Sequence, residues 1–132
     1  MNDKPRLMGR SDDRDRKDGT KRVGGLWMFR GDSRVVLLRV LFDGRPYDIT
    51  GCTLTFSASS ASPAASLTGS TSSGAVSIKD GPKGLAIFPI TPAMTSGFPN
   101  LNFEMVYQWV LIDLSLETTT LEEDTFVIRR NI

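Results

Sequence analysis

The densest run of groups able to do chemistry in this chain is Glu122-Glu123-Asp124, with Asp113 and Glu117 a few residues upstream. Carboxylates gathered in this way can supply the hard oxygen ligands that calcium prefers. The Asp-x-Asp-x-Asp-Gly spacing of a calcium loop is absent, so the run reads as the solvated end of a hairpin. No metal and no other cofactor is expected. Lys79-Asp80-Gly81-Pro82-Lys83-Gly84 brings lysines and glycines together without the spacing of a phosphate loop. The chain has one cysteine, Cys52, and no histidine. Those two counts remove Ser-His-Asp and Cys-His nucleophile systems, Cys/His zinc sites and disulfide frameworks. Cys52 lies in an apolar strand without a neighbouring base and reads as a small buried hydrophobe. Arg30-Gly31-Asp32 spells a cell-adhesion tripeptide, but it falls where a turn enters a long strand and reads as that turn. No pair of carboxylates is set apart by its surroundings for hydrolysis. The reading is therefore of a non-enzyme without a small-molecule substrate.

The elements that would position these residues are strands. With 132 residues, 39% of them hydrophobic, the chain suits one domain and its attachments. Residues 33–42 alternate, with Val36, Leu38, Val40 and Phe42 on one face. Asp43-Gly44-Arg45-Pro46 is an Asp-Gly turn. Residues 52–59 alternate again and turn Cys52 and Leu54, or their neighbours, inward. Residues 58–74 are rich in Ser, Ala and Thr and predict a loop with a weak strand at 65–68. Strands at 75–78 and 85–90 flank the Lys79–Gly84 turn. Thr91 and Pro92 are placed to cap and open one helical turn over 91–96. Long strands follow at 102–113 and 118–132, the second clearest at 124–129. Six to eight strands with no amphipathic helix predict an antiparallel sandwich.

One strand sets the facing. From Phe103 onward the alternate residues Phe103, Met105, Tyr107, Trp109 and Leu111 carry the aromatic mass and define the core side. The opposite side holds Glu104 and Gln108 but also Val106, Val110 and Ile112. The 33–42 strand repeats this, with Val35, Leu37 and Leu41 beside Arg39 on its outer face. A free-standing sandwich alternates more cleanly, so these outer apolar residues are expected to meet other subunits.

Charge divides the chain at about residue 25. Residues 1–25 hold eight basic and five acidic side chains, whereas the rest holds eight basic and ten acidic. So little apolar surface accompanies the first segment that it is not expected to order alone. It reads as an extended arm that docks on a partner protein through Arg6, Leu7, Met8, Arg10, Arg14, Arg16, Lys17, Lys21 and Arg22. Aspartates interleave with those basic groups and no aromatic is present for base stacking, so nucleic acid ranks behind a protein surface. The opening MNDKPRLMGR has no apolar stretch and does not read as a secretory signal. No run approaches the ~18 apolar residues of a membrane helix.

The run Arg30-Gly31-Asp32-Ser33, the strand after it and then Asp43-Gly44-Arg45-Pro46-Tyr47-Asp48-Ile49-Thr50-Gly51-Cys52-Thr53-Leu54-Thr55-Phe56 carry a resemblance. They are similar to the small immunoglobulin-like domains of bacteriophages, such as the N-terminal domain of phage baseplate upper proteins. Leu85-Ala86-Ile87-Phe88-Pro89-Ile90-Thr91-Pro92-Ala93-Met94-Thr95 resembles that family's strand leading into a helical turn. The segments 105–113 and 124–128 match its last hairpin. The charged arm and the lengthened Ser/Ala-rich stretch before Gly74 depart from the pattern. The resemblance implies an immunoglobulin-like antiparallel β-sandwich over 26–132 with an extended N-terminal arm over 1–25. It also implies a structural protein of the virion, made in the host bacterial cytoplasm, whose partners are other virion proteins or a symmetric array of its own copies. A tail, baseplate or fibre-adaptor place is expected first. A head cement protein comes second, and a host-surface glycan-binding module, through the loop 57–74, third.

Overall fold

The computed structural model describes residues 7–13 and 25–131. The elements run β1 (Leu7–Asp13), β2 (Leu26–Phe29), β3 (Arg34–Phe42), β4 (Arg45–Pro46), β5 (Thr53–Ala61), β6 (Ala64–Ser70), β7 (Ser77–Asp80), β8 (Leu85–Ile90), α1 (Pro92–Thr95), β9 (Phe103–Ile112) and β10 (Thr118–Arg129). They form two sheets packed as an all-β sandwich. The first sheet has the order β1-β3-β8-β7, with β4 also paired to β3, and the second has the order β2-β10-β9-β5-β6. The pairings are antiparallel except that β2 runs parallel to β10.

Alternation produces the core. Phe103, Met105, Tyr107, Trp109 and Leu111 all point inward from β9, as their spacing predicts. Val36, Leu38 and Val40 do the same from β3, and Leu54, Phe56 and Ala58 from β5. At the centre lies the ring of Phe56, 4.9 Å from Phe88 of the facing sheet. It is 5.5 Å from Tyr107, 5.2 Å from Trp109 and 6.2 Å from Phe126 of its own sheet. Offset and edge-on rings at these separations add to the area that they bury.

The turns follow their residues. Asp43 and Gly44 both take positive φ, 53° and 78°, which is the twist that a tight two-residue hairpin needs. Asp48 caps the next corner: its Oδ1 accepts from the Thr50 amide at 2.9 Å and from the Thr50 hydroxyl at 2.6 Å. Gly51 then bends the chain with φ 81°. Thr91 stands at the cap position of α1 with Pro92 in the first turn, but its side chain makes no capping hydrogen bond.

Four expectations are corrected. The Ser/Ala-rich stretch is not a loop, because β5 continues to Ala61 and pairs residue by residue with β6 as a hairpin. Small side chains let two strands lie flat here, and the composition hid them. Phe42 is exposed, since β3 outruns the opposing sheet and the ring settles against Tyr47 at 6.0 Å. Glu122 is not on a solvated hairpin end. A bulge between Thr120 and Glu122 shifts the register, and the Glu122 carboxylate accepts the backbone N–H of Ser11 at 3.2 Å.

The fourth correction concerns the arm. Leu7–Asp13 is an edge strand of the first sheet, paired along β3 from Leu7 opposite Phe42 to Asp13 opposite Val36. Backbone pairing with β3 orders this stretch within the domain, where the charge pattern predicts no order without a partner. Gly9 makes this approach feasible, because a Cβ there would lie 2.8 Å from Leu121 Cβ and 2.9 Å from Leu38 Cδ1. Ser11 is fully buried beside it.

Phe56→Ala is expected to cost about 3–5 kcal/mol in urea unfolding, and Phe42→Ala under about 1 kcal/mol. Equal losses would displace Phe56 from the centre of the core. Gly9→Val is expected to lift β1, read as faster amide exchange along β3 with the exchange of β5 and β9 unchanged.

Candidate docking surfaces

The residues expected to touch partners fall on two opposite faces of the sandwich. On the first sheet Val35, Leu37 and Leu41 are half-buried on the outer face of β3. Most of their neighbours across the strands are also apolar: Pro89 beside Val35, Ile87 beside Leu37, and Met8 with Pro46 beside Leu41, while on the β1 side Leu37 stands opposite Asp12. Between them Arg10 of β1 stands directly opposite Arg39 of β3. Like charges facing across an antiparallel pair destabilise it. The surface is thus an apolar field with two guanidinium groups at its middle.

On the second sheet Val106, Val110 and Ile112 lie on the outer face of β9, with Val106 the most exposed. Their cross-strand neighbours carry hydroxyls: Thr125 and Ser59 beside Val106, Thr120 and Thr55 beside Val110, Thr118 and Thr53 beside Ile112. β-Branched and hydroxyl side chains suit a solvated sheet face, so this stretch around β9 is dressed for water. Of the two faces, the first sheet's is the stronger candidate.

The arm residues divide accordingly. Leu7 packs against the core, while Met8 and Arg10 face outward on the first sheet. Arg6, Arg14, Arg16, Lys17, Lys21 and Arg22 lie outside the described residues. Arg30 has a local role, since its guanidinium donates to the carbonyls of Ser96 and Phe98. Gly31 N–H donates to the Thr95 hydroxyl at 2.7 Å, and Asn131 Nδ2 donates to the Asp32 carboxylate at 3.4 Å. The Arg-Gly-Asp tripeptide is therefore the turn that ties β2 to α1 and to the chain after β10. Among the described residues no three His, Cys, Asp or Glu side chains gather as a metal site. Cys52 is buried, and that burial, with the carboxylates of Asp113 and Asp48, raises its thiol pKa.

Two surface features escaped the sequence reading. The first is Trp27 with Phe29, whose exposed rings meet edge to face at 5.4 Å on β2. The guanidinium groups of Arg34 and Arg129 each sit 5.0 Å from the centre of the Trp27 ring. A groove of about 450 Å³ beside them is lined by Phe29, Asn102, Val127, Arg129 and Arg130. The second is the β9–β10 turn, which exposes Leu114 and Leu116. Two leucines in a hairpin turn, where polar residues are usual, were the signal available in the sequence. For Trp27 the signal was weaker, a four-residue apolar run too short to assign a partner strand.

The Thr50 donors hold the Asp48 carboxyl below the ordinary aspartate range. Because its folded pKa is depressed, its hold on the turn is present above the unfolded value and lost as pH falls through the folded one. A carbon-detected NMR titration should place its midpoint below the ~3.9 of a free aspartate. Thr50→Val should move that midpoint upward, and an unmoved midpoint would remove the hydroxyl from the account. No protein-family model matches the sequence, and no curated protein matches it.

Proposed function

We propose that this chain is a non-enzymatic structural subunit of a bacteriophage particle, an immunoglobulin-like β-sandwich that works by packing on neighbouring proteins. The observation that carries the reading is the outer face of the first sheet. There Leu37, Leu41 and Met8 surround Arg10 and Arg39, like charges that stand opposite each other across the strand pair. A neighbour presenting a carboxylate amid apolar residues would relieve that opposition and cover the field. β1 supports the same reading, because it places the start of the charged arm on that face and so couples the arm to whatever covers it. The phage-like segment from Asp43 to Phe56 adds the kind of particle, and a tail, baseplate or fibre-adaptor place is the first assignment. The 57–74 segment is a hairpin of small side chains and supports glycan binding less than a docking role.

Cryo-electron microscopy of the purified particle tests this. The expected density places the sandwich in the tail or baseplate with Met8, Arg10 and Arg39 against a neighbouring subunit. Density repeated over the head shell would instead make it a cement protein. A particle without this chain would overturn the reading.

A further inference from the structure

The two features absent from the sequence reading lie at opposite ends of the same two strands. β10 runs for 12 residues from the Leu114–Leu116 turn to Arg129, a separation of about 36 Å at the strand rise. The ends differ in charge. Around the leucine turn stand Asp43, Asp48, Asp80, Asp113 and Glu117 against Arg45, Lys79 and Lys83. At the other end Arg30, Arg34, Arg129 and Arg130 stand against Asp32 and Glu104.

The leucine turn is rigid. Asp113 Oδ1 accepts the N–H of Ser115 at 2.8 Å and of Glu117 at 2.9 Å. The Leu116 N–H donates to the Asp113 carbonyl at 2.9 Å, and Asp113 and Glu117 close the hairpin at 3.0 Å. Leu114 leans over Gly51, where an added Cβ would come within 3.1 Å of it. Held this way, the turn leaves Leu114 77% and Leu116 82% exposed. Leu116 also takes φ 65°, a left-handed conformation that a branched apolar residue rarely adopts and that glycine or asparagine would take at lower cost. A strained, exposed leucine between two carboxylates contradicts every local preference for a turn, and such inconsistencies mark functional positions.

The opposite end is its complement. Trp27 and Phe29, 43% and 41% exposed, offer an aromatic surface bordered by Arg34, Arg129 and Arg130. The segment 14–24, with five basic and two acidic side chains, does not complement an arginine-bordered surface in charge. We infer that the occupant is a second copy of this chain, docked head to tail. Leu114 and Leu116 of one copy meet the Trp27–Phe29 surface of the next, and Asp113 and Glu117 meet Arg34, Arg129 and Arg130. Tryptophan and arginine dominate binding energy where such surfaces are desolvated. A contact between two different patches is heterologous, so it generates a ring if the rotation closes and a filament if it does not. The inference rests on the proposed packing of this subunit on symmetric neighbours and names the surfaces used.

Sedimentation of the full chain separates the outcomes. The wild-type chain should associate beyond a dimer as its concentration rises, and more strongly at low salt. Leu114→Ser with Leu116→Asn removes the turn's apolar contacts while keeping a residue suited to φ 65°. Trp27→Thr with Arg129→Glu removes the surface at the other end. Each double variant alone should weaken association at least about tenfold, with circular dichroism and melting temperature confirming its fold. Mixed in equal amounts, the two should form a heterodimer and nothing larger, since one intact turn and one intact aromatic surface remain between them. A wild-type chain monomeric at millimolar concentration overturns the contact and assigns the aromatic surface to a different acidic protein. Association undiminished in either variant, or no pairing in the mixture, overturns it as well. Each of these failures leaves the particle reading standing, because that reading fails only if the chain is missing from the particle.

Discussion

The contact of the Phe56 ring with Phe88 is the point at which the two sheets become one body. Phe56 sits on a central strand of its own sheet and reaches across the interior at 4.9 Å. Tyr107, Trp109 and Phe126 close around it on the near side. Most of the remaining interior is filled by Leu, Ile, Val and Met, with a second aromatic pair, Phe98 and Phe103, 5.9 Å apart. The strands nearest the Phe56–Phe88 contact, β3, β5, β8 and β9, are positioned by it. Those at the margins, β1, β2 and β7, are positioned by backbone pairing and by the space that the centre leaves.

That division explains what was legible in the residues. β9 was readable because its aromatic residues all fall on one set of alternate positions, and that set is the inward face as expected. β1 was unreadable because its inward positions after Leu7 are Ser11 and Gly9, and Gly9 has no side chain to register as apolar. What lets it dock is the emptiness of that position beside Leu121 and Leu38. β6 was hidden for a related reason, since a run of Ser, Ala and Thr is neutral on any hydropathy count yet pairs without obstruction. Glu122 required the bulge after Thr120, and no periodicity rule anticipates a one-residue shift that sends a carboxylate to the seam. Of the candidate surfaces, the outer faces of β3 and β9 were visible as broken alternation. The Trp27 surface was not, because its meaning depends on Arg34 and Arg129 arriving from distant strands.

The seam between β1 and β10 also decides how the arm can act. Met8 and Arg10 are held on the first sheet's outer face by the same strand whose other side buries Gly9 and Ser11. A partner covering that face would press on the backbone pairing of β1 with β3 and so stabilise that edge. An arm that begins as a strand would make such a contact part of the fold.

Three local inconsistencies stand out against an otherwise consistent sequence. Arg10 faces Arg39, Leu116 is exposed in a left-handed conformation, and an indole lies exposed beneath two guanidinium groups. None of them serves the core, whose residues agree with their strands. All three lie on the outer face of the first sheet, in the β9–β10 turn and on the outer side of β2, the edge strand of the second sheet. A subunit packed on its first sheet and linked from that turn to that edge would need this distribution.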